Sequence, residues 1–451
     1  MFVVVVGGGL VGATLAAKLA ADGCDVSLVE RDPVKVRQLT EELDVHVVEG
    51  NGSTARVLRR AGIEKASLVV ATSDSDECNM VTGMLATAVF NVPRVVVRLR
   101  DDEHADGFAM LDRLHDGEHV RVNPEAAAVD RIASLLEVPG AADVVSLLDG
   151  RLLVAGFRIS ESSDFNGLNL AHMNLLFPAT PTLVVAIQRD SEWIIPHGEQ
   201  EIAAGDLVYF AIARTELSGI LSLVGAEADE SRHVMIAGAS RIGLALARRL
   251  ERAHTKVVLV EESPLEARRA AEVLGSTLVI TGQVTDQKVL EEEDIDRVST
   301  FVAVTADHEV NLVSSLLAKK LGANRAFTLV DNPSLANLIG EVGIDAVISP
   351  RLLAIGLALQ HIRRGRVRSV SALLEDKVEV IEVEAVDGSR LTSAPLAAVG
   401  LPRGILVAAM NHGDVLRVPG GGDRVEPGDQ VVLITTTERA AELDKFLAKR
   451  R

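Results

Sequence analysis

A glycine turn between two apolar segments, lying between Met1 and Asp32, constrains the fold of this chain more than any other feature. A run of valines, Val3–Val6, leads into the sequence GGGLVG, whose residues are Gly7, Gly8, Gly9, Leu10, Val11 and Gly12. A helix-forming apolar segment follows, and a second apolar run ends at Glu30. This order predicts a strand, a glycine turn, a helix and a second strand, as in a dinucleotide-binding unit.

Each position of the turn has its own physical requirement. Gly7 is expected to form the tight turn, Gly9 to let the backbone approach a pyrophosphate, and Gly12 to let the helix pack closely on the sheet. Unpaired N–H groups at the start of the helix attract phosphate. Glu30 is expected to accept hydrogen bonds from ribose hydroxyls and to repel a 2′-phosphate. The pattern favours NAD(H) or adenosine nucleotides over NADP(H), and a purely structural glycine turn is the alternative.

The composition narrows the class of protein further. Of the 451 residues, 48% are apolar and 3% aromatic, a balance that suits buried parallel strands covered by helices. The net charge of −18 argues against nucleic-acid binding and direct anchoring on anionic lipid. No apolar run has the length and continuity of a membrane span, and Cys24 and Cys78 are expected to be reduced thiols. We therefore expect a cytoplasmic protein without direct membrane insertion.

The opening motif occurs a second time, beginning at Val234. The second copy keeps the outer glycines of the turn and the acidic strand end at a constant offset of 231 residues, as Gly238, Gly243 and Glu261. Downstream the offset grows by one residue, and four further polar or glycine positions recur as Gly282, Thr305, Glu309 and Asn311. A register kept over this distance indicates an internal duplication of whole domains.

A different kind of segment follows each of these units. The alternation of strands and helices predicts a parallel, doubly wound sheet in each unit. The segments after them carry short β-rich runs, and Pro196 and Asp206 of the first recur with the same spacing as Pro419 and Asp429 of the second. We predict an α/β fold with two Rossmann-like sheets, each followed by a small α+β domain. The expected domains are residues 1–123, 139–224, 231–349 and 367–451.

This order of motifs resembles the TrkA family, the regulatory subunits of Trk potassium uptake systems, which carry two RCK (also called KTN) units in tandem. The resemblance covers essentially the whole chain. It is carried by the glycine turn, Glu30, Ser73–Asn79, Val97-Arg98, Asn123-Pro124-Glu125, Pro196 with Gly205-Asp206, and Pro419 with Gly428-Asp429.

The resemblance implies RCK N-terminal and C-terminal domains in each half and a location on the cytoplasmic face of the cell membrane. It implies a homo-oligomeric ring, expected to be tetrameric, under a membrane potassium-translocating subunit of Trk type. Nucleotide in the Rossmann crevices is expected to change the shape of the ring and so gate the pore.

Carried onto this sequence, the resemblance implies a nucleotide site in the first half. Besides the glycine turn, its residues are Glu30, Asn51, Ser73, Asp74 and Arg98. A surface ion pair is the alternative for Arg98. Asp74 and Asp76 are also candidates for capping a helix expected to begin near Asn79. NAD⁺, NADH, ATP and ADP offer the same ribose to Glu30, so the sequence leaves the ligand open among them.

The second half departs from this pattern at two positions. Ser240 stands where the second glycine of the turn is expected, so that its Cβ would crowd a pyrophosphate although its hydroxyl could donate to one. The residue that answers to Arg98 is read as Thr328. The candidate residues of this half are Gly238, Ser240, Arg241, Gly243 and Glu261. The sequence leaves open whether they bind a nucleotide.

Two functions from different classes fit these features. A regulatory subunit without catalytic residues is favoured, and an NAD-dependent oxidoreductase with duplicated Rossmann domains is the alternative. Hydride transfer needs an acid or base beside the nicotinamide, whereas the single tyrosine, Tyr209, lies in a β-rich run. No metal site is predicted, because Asp307, His308 and Glu309 are adjacent and their side chains diverge. The arginine-rich run 363–368 is expected to be a charged linker.

Overall fold

The computed structural model describes residues 1–114, 116–176, 182–190, 192–196, 198–226, 233–331, 343–360, 367–373, 378–413, 415–436 and 439–447. Within these ranges the chain forms two six-stranded and two five-stranded sheets, which confirms the predicted fold class. The chain divides into two compact units, Met1–Ala128 with Ser349–Arg363, and Val129–Ile348 with Arg364–Arg451. The boundaries of the four domains expected from the sequence stay a prediction. Residues 363–366 of the arginine-rich run lie outside the described residues.

The first sheet is parallel, with strand order β3-β2-β1-β4-β5-β6. Its strands are β1 Phe2–Val6, β2 Asp25–Glu30, β3 His46–Glu49, β4 Leu68–Ala71, β5 Arg94–Arg98 and β6 Glu118–Val122. The helices are α1 Leu10–Ala21, α2 Pro33–Glu42, α3 Ala55–Arg60, α4 Asp76–Ala88, α5 Ala105–Phe108, α6 Leu111–Leu114 and α7 Pro124–Glu137. The order reverses between β1 and β4, which opens a crevice at their carboxyl ends.

The valines of β1 explain why this sheet forms. Val3 and Val5 are fully buried in one apolar cluster, and Val4 and Val6 are buried in another on the opposite face of the sheet. A strand with apolar side chains on both faces needs helices on both sides, which is the arrangement of a doubly wound fold. Each fully buried valine stabilises the fold by roughly 1.5–3 kcal/mol relative to an exposed one.

A helix distant in sequence completes the first unit. This helix, α14 Pro350–Gln360, packs against α1. Its Ala354, Ile355 and Ala358 share one apolar cluster with Leu15 and Leu19 of α1. The apolar face of α1 is therefore covered by residues that follow the second Rossmann sheet in the chain.

The second Rossmann sheet is also parallel, with strand order β14-β13-β12-β15-β16-β17. Its strands are β12 His233–Ala237, β13 Lys256–Glu261, β14 Leu278–Thr281, β15 Thr300–Ala303, β16 Arg325–Leu329 and β17 Ala346–Ile348. The helices are α10 Arg241–Arg252, α11 Pro264–Val273, α12 Gln287–Glu292 and α13 His308–Lys320. The strand order repeats that of the first sheet, as the duplication predicts.

The two smaller sheets are antiparallel. The first has the order β10-β9-β11-β8-β7 and the second β18-β19-β22-β20-β21. The first consists of β7 Ala141–Leu147, β8 Leu152–Arg158, β9 Thr182–Arg189, β10 Glu192–Ile194 and β11 Leu207–Ala213, with α8 Leu170–Leu176 and α9 Leu217–Val224. The second consists of β18 Val367–Leu373, β19 Val378–Glu384, β20 Ile405–His412, β21 Val415–Arg417 and β22 Gln430–Thr436, with α15 Leu396–Val399 and α16 Ala440–Leu447.

The two small sheets share one core. Tyr209 and Val154 of the first lie in the same apolar cluster as Val380 and Val432 of the second. The carboxylate of Glu382 accepts a hydrogen bond from the Leu148 N–H at 3.1 Å across this interface. The duplicated small domains therefore pack against each other within one chain.

Glu251, the next-to-last residue of α10, holds the loop that precedes β14. Its carboxylate accepts hydrogen bonds from the N–H groups of Gly275, Ser276 and Thr277 and from the Thr277 hydroxyl, at 2.7–3.2 Å. Burial alone would raise its pKa, but these donors, Ser276 N–H foremost, outweigh burial and lower the pKa of Glu251 to about 2.

We predict that Glu251→Gln lowers the free energy of unfolding by about 1–2 kcal/mol at pH 7, a value discounted for the partial exposure of this side chain. Because the folded pKa lies below that of the unfolded chain, the stabilisation is fully present above about pH 4.5 and is lost as the pH falls toward 2. Thermal unfolding of wild type and variant between pH 7 and pH 3.5 should show this difference narrowing. The control is Glu272→Gln, at an exposed i,i+4 ion pair with Arg268, and an equal effect of both substitutions would contradict the assignment.

Candidate nucleotide-binding site

The three glycines of the fingerprint meet different constraints in the first crevice. Gly7 has φ +104°, and a Cβ there would lie 2.7 Å from the Ser73 backbone. A Cβ on Gly12 would lie 1.9 Å from the Gly7 carbonyl oxygen, whereas one on Gly9 would meet no protein atom within 4 Å. Gly7 and Gly12 are thus required by the protein itself, and Gly9 borders open space.

Helix α1 starts at this open space without a side-chain cap. Gly9 is its N-cap residue and makes no side-chain hydrogen bond. The first N–H groups of a helix have no partner within the helix, so those of Leu10, Val11 and Gly12 are available to a ligand. An uncapped helix N-terminus beside a glycine with free space is the arrangement that binds phosphate.

Glu30 fixes the turn to the end of β2. Its Oε2 accepts a hydrogen bond from the Gly8 N–H at 2.7 Å, and its Oε1 accepts from the N–H groups of Arg31 and Asp32 at 2.8 and 2.9 Å. The residue is 8% exposed. A carboxylate has about four acceptor positions, so Glu30 retains capacity for a ribose hydroxyl while holding the turn. The sequence analysis did not predict that Glu30 holds the glycine turn.

Asn79 connects the ends of β4 and β5. Its Oδ1 accepts hydrogen bonds from the N–H and hydroxyl of Ser73 at 2.8 and 2.7 Å, and its Nδ2 donates to the carbonyls of Ser73 and Arg98 at 2.9 Å. The side chain is fully buried. Sequence reasoning gave Asn79 no role, although its recurrence as Asn311 was a signal that the position matters.

Arg98 and Asp74 lie close together at the carboxyl edge of the sheet. The Arg98 Nη1 is 4.0 Å from the Asp74 Oδ1, with side chains 16% and 85% exposed. Burial, reinforced by the nearby Arg100 charge, lowers the pKa of Arg98. Arg98 is therefore a largely buried cation that forms an ion pair with an exposed carboxylate at the edge of the sheet.

Asn51 stands in the loop after β3, near the start of α4. Its Oδ1 accepts hydrogen bonds from the N–H and hydroxyl of Ser53, and the Cys78 thiol lies 3.8 Å away. Four of the predicted site residues, Asn51, Ser73, Asp74 and Arg98, are thus linked to one another or to α4 by hydrogen bonds or an ion pair.

The capping expectation for α4 was wrong. The helix begins at Asp76, and Ser75 caps it by accepting a hydrogen bond from the Cys78 N–H. Asp76 is buried and accepts hydrogen bonds from the N–H groups of Arg100 and Asp101 at 2.8 and 3.0 Å. Asp76 therefore anchors the loop after β5, a long-range contact that local sequence does not reveal.

The second crevice repeats this backbone arrangement. Gly238 has φ +104°, and a Cβ on Gly243 would lie 2.1 Å from the Gly238 carbonyl oxygen. Glu261 accepts hydrogen bonds from the N–H groups of Ala239 and Ser263 at 2.7 and 2.9 Å. A cavity of about 330 Å³ opens beside this turn.

Two residues differ from expectation in the second crevice. Ser240 caps α10, because its hydroxyl accepts from the Gly243 N–H at 3.2 Å and donates to the Val304 carbonyl at 2.6 Å. Thr328 was wrongly matched to Arg98. Asn311 donates to the Leu329 carbonyl as Asn79 does to that of Arg98, so Leu329 is the counterpart of Arg98.

In the part of the chain that the structure describes, no three His, Cys, Asp or Glu side chains are grouped so as to hold a metal ion. Within the same ranges, no helix combines the length and apolar character needed to cross a bilayer.

Comparison with known proteins agrees with this geometry. The TrkA-N domain model matches residues 3–114 and 234–350, and the TrkA-C domain model matches residues 380–448. The chain is 35% identical to the Trk system potassium uptake protein TrkA of Azorhizobium caulinodans, over 99% of this chain and 98% of that protein. It is 33% identical to the protein of that name from Halomonas elongata, over 97% and 96%.

Two solved structures share the fold. The GsuK RCK domain has a TM-score of 0.62 and 21% identity, covering 100% of this chain and 95% of that one. A GsuK channel bound to NAD has a TM-score of 0.62 and 20% identity, covering 100% and 79%.

The duplicated Rossmann sheets, their glycine turns and the paired small sheets define a protein with two Rossmann units in tandem and the fold of the GsuK RCK domain. The matches over nearly the whole chain are more specific. The chain belongs to the TrkA family, the regulatory subunits of Trk potassium uptake systems.

We predict different effects on stability for two substitutions in the first turn. Gly7→Ala places a Cβ at a positive φ and against the Ser73 backbone, so it should lower the free energy of unfolding by about 2 kcal/mol or more. Gly9→Ser introduces the residue that caps α10 in the second unit, so it should leave stability unchanged or raise it by up to about 1 kcal/mol. Thermal unfolding of the two variants tests this, and equal destabilisation by both would show that Gly9 does not border open space.

Proposed function

We propose that the first crevice binds NAD(H), or ATP and ADP, and that its occupancy controls the conformation of a ring that gates a potassium-translocating membrane subunit. The ligand contacts would be Gly7–Gly12, Glu30, Asn51, Ser73, Asp74 and Arg98. The observation that carries this proposal is the uncapped start of α1 beside Gly9, next to a nearly buried acidic strand end. The NAD-bound GsuK channel, which shares the fold, supports it.

The crevice is suited to an adenosine dinucleotide that lacks a 2′-phosphate. The helix N-terminus attracts the diphosphate, and Arg98 adds a positive charge in partly buried surroundings, where charge pairs are screened less than at the surface. Glu30 offers an acceptor for a ribose hydroxyl and repels a phosphate at that position. NADH should therefore bind at least tenfold more tightly than NADPH, a difference of about 1.4 kcal/mol.

Occupancy of the crevice acts directly on α1. The N-terminus of α1 would contact the diphosphate, and the apolar face of the same helix packs against α14. In sequence α14 leads to β18 of the second small sheet. A ligand that binds more tightly to one position of α1 than to another shifts the ring between its states by that difference in affinity.

Exposed apolar side chains on the first unit support assembly into a ring. Val81 and Met84 lie on one face of α4, and Met110 and Leu114 lie at α6, which packs against α4. These side chains are 40–52% exposed. In the second unit Val313 repeats Val81 and is 52% exposed. Such a grouped apolar surface is typical of a contact between protein subunits, and we assign it to contacts between copies of this chain.

A regulatory role is favoured over hydride transfer by the place of the single tyrosine. Tyr209 is fully buried in the first small sheet, and its hydroxyl donates a hydrogen bond to Asp143 at 3.3 Å. A residue held in this way has no access to a substrate, so it cannot supply the proton that a dehydrogenase needs.

We predict that Gly9→Asp weakens NADH binding at least tenfold without unfolding the chain. Aspartate is a good N-cap residue, but its charge and volume would occupy the space of the diphosphate. Isothermal titration calorimetry with NADH measures the change, with Ser263→Asp as the control, because that variant adds the same charge at another N-cap. Unchanged affinity in Gly9→Asp, or steady oxidation of NADH with enzyme kinetics by the wild-type protein, would contradict the proposal.

We predict that Met84→Asp reduces the oligomer to a smaller species. A charge in the apolar surface of α4 would have to be buried without a partner on assembly, which is costly. Light scattering coupled to size-exclusion chromatography gives the molar mass. Val34→Asp is the control, since Val34 is 71% exposed on α2, and the same mass for Met84→Asp and wild type would exclude this surface as the contact.

A further inference from the structure

The two crevices have the same backbone but different charge. Five basic positions at the carboxyl edge of the first unit have no basic counterpart in the second. The first unit carries Arg31, Lys35, Arg98, Arg100 and Arg121. By the duplication and the strand registers, the second carries Glu262, Glu266, Leu329, Asp331 and Val347.

The cavity of the second crevice is lined on one side by carboxylates. Glu261, Glu262, Glu266 and Asp307 all border its volume of about 330 Å³. Glu266 forms an ion pair with Arg269 at 2.7 Å, and Asp307 caps α13. Glu262, in contrast, is exposed to solvent. Carboxylates that line a cavity repel a diphosphate placed in it.

A side chain also occupies the part of the second turn where a phosphate would bind. In the first crevice the N-cap position is Gly9, with no atom beyond the backbone. In the second the Ser240 hydroxyl already accepts from the Gly243 N–H and donates to the Val304 carbonyl. One of the helix N–H groups that would bind a phosphate is thus taken, and the serine Cβ stands in the way of close approach. Arg241 is a cation that this turn retains.

The nucleoside end of the second cavity is intact. Glu261 holds its turn as Glu30 does and keeps acceptor capacity for a ribose hydroxyl. Val260, Val284, Ala306 and Val310 supply an apolar lining for a planar base. The cavity is concave and mainly apolar at one end, with a few polar groups that fix orientation, as small-molecule sites are.

We propose that the second crevice binds an uncharged adenosine-type nucleoside and rejects the diphosphate that the first crevice binds. This inference rests on the proposed function of the first crevice. Its specificity is set by Ser240, Glu262 and Glu266, which stand where the first unit has Gly9, Arg31 and Lys35. The chain then binds one dinucleotide, and its second crevice responds to a different class of ligand.

Calorimetric titration of the full chain with NADH tests the stoichiometry. We expect one NADH per wild-type chain, an affinity at least tenfold lower in Gly9→Asp, and a change in affinity of less than twofold in the matched variant Ser240→Asp. Two equivalents of comparable affinity, or loss of an equivalent in Ser240→Asp, would overturn the inference and leave the proposed function of the first crevice standing. Absence of any NADH binding would instead overturn the proposed function, and the labelling experiment below would then decide the inference.

A second variant tests the residues that set specificity. The triple substitution Ser240→Gly, Glu262→Arg and Glu266→Lys gives the second crevice the residues of the first at these three positions. We expect it to raise the stoichiometry to two NADH per chain, and a folded triple variant that still binds one would refute this assignment.

Photolabelling of the wild-type chain needs no variant and reports each crevice separately. After irradiation with 8-azidoadenosine or 8-azido-ATP, labelled peptides are identified by mass spectrometry. We expect 8-azidoadenosine to label peptides within residues 278–310 and 8-azido-ATP to label at least tenfold less there than in the first unit. Equal labelling of residues 278–310 by 8-azido-ATP, or no labelling there by 8-azidoadenosine, would overturn the inference.

Discussion

A carboxylate that accepts hydrogen bonds from the backbone of a glycine turn is the interaction on which both Rossmann units depend. Glu30 holds the Gly8 N–H and Glu261 holds the Ala239 N–H, each at 2.7 Å. Hydrogen bonds to a charged acceptor are stronger than those between neutral groups, and the turn they restrain has a glycine at positive φ that loses much conformational freedom on folding. Glu30 and Glu261 therefore stabilise the fold of the turn independently of any role in binding a ligand. A ligand that contacts either residue meets a turn that is already in place.

Two buried asparagines, Asn79 and Asn311, hold the strand ends on the opposite side of the same crevices. Asn79 and Asn311 each satisfy backbone groups of two neighbouring strand ends and are fully buried. A buried amide whose donors and acceptor are all used can be satisfied in one geometry only. The distance between the strand ends is thereby fixed. This rigid edge is shared by both units, so the differences between them reside in side chains that project from it.

The sequence predicted what depends on local pattern and on repetition. The valine-rich strands, the glycine turns and the duplicated order of four sheets follow from periodicity and spacing, and the structure has them. It did not predict Asp76 as a buried anchor or Ser75 as the cap, because Ser75, Asp74 and Asp76 are equally good capping residues when only their types are known. The counterpart of Arg98 could not be placed from the sequence, because the offset between the halves falls from 232 residues at α4 to 231 at β5, which only the strand register reveals. The contact between α1 and α14 could not be predicted from the sequence, because no local feature of either helix identifies the other as its packing partner.

That contact has a consequence for how the chain is made. Residues 350–360 must leave the ribosome before they can cover Leu15 and Leu19, and domains otherwise tend to fold in the order of their synthesis. Part of the apolar surface of the first unit is therefore exposed to water until most of the polypeptide has been translated. Contacts between residues so distant in sequence slow folding, so the nascent first half is a natural client for chaperones that shield apolar surface.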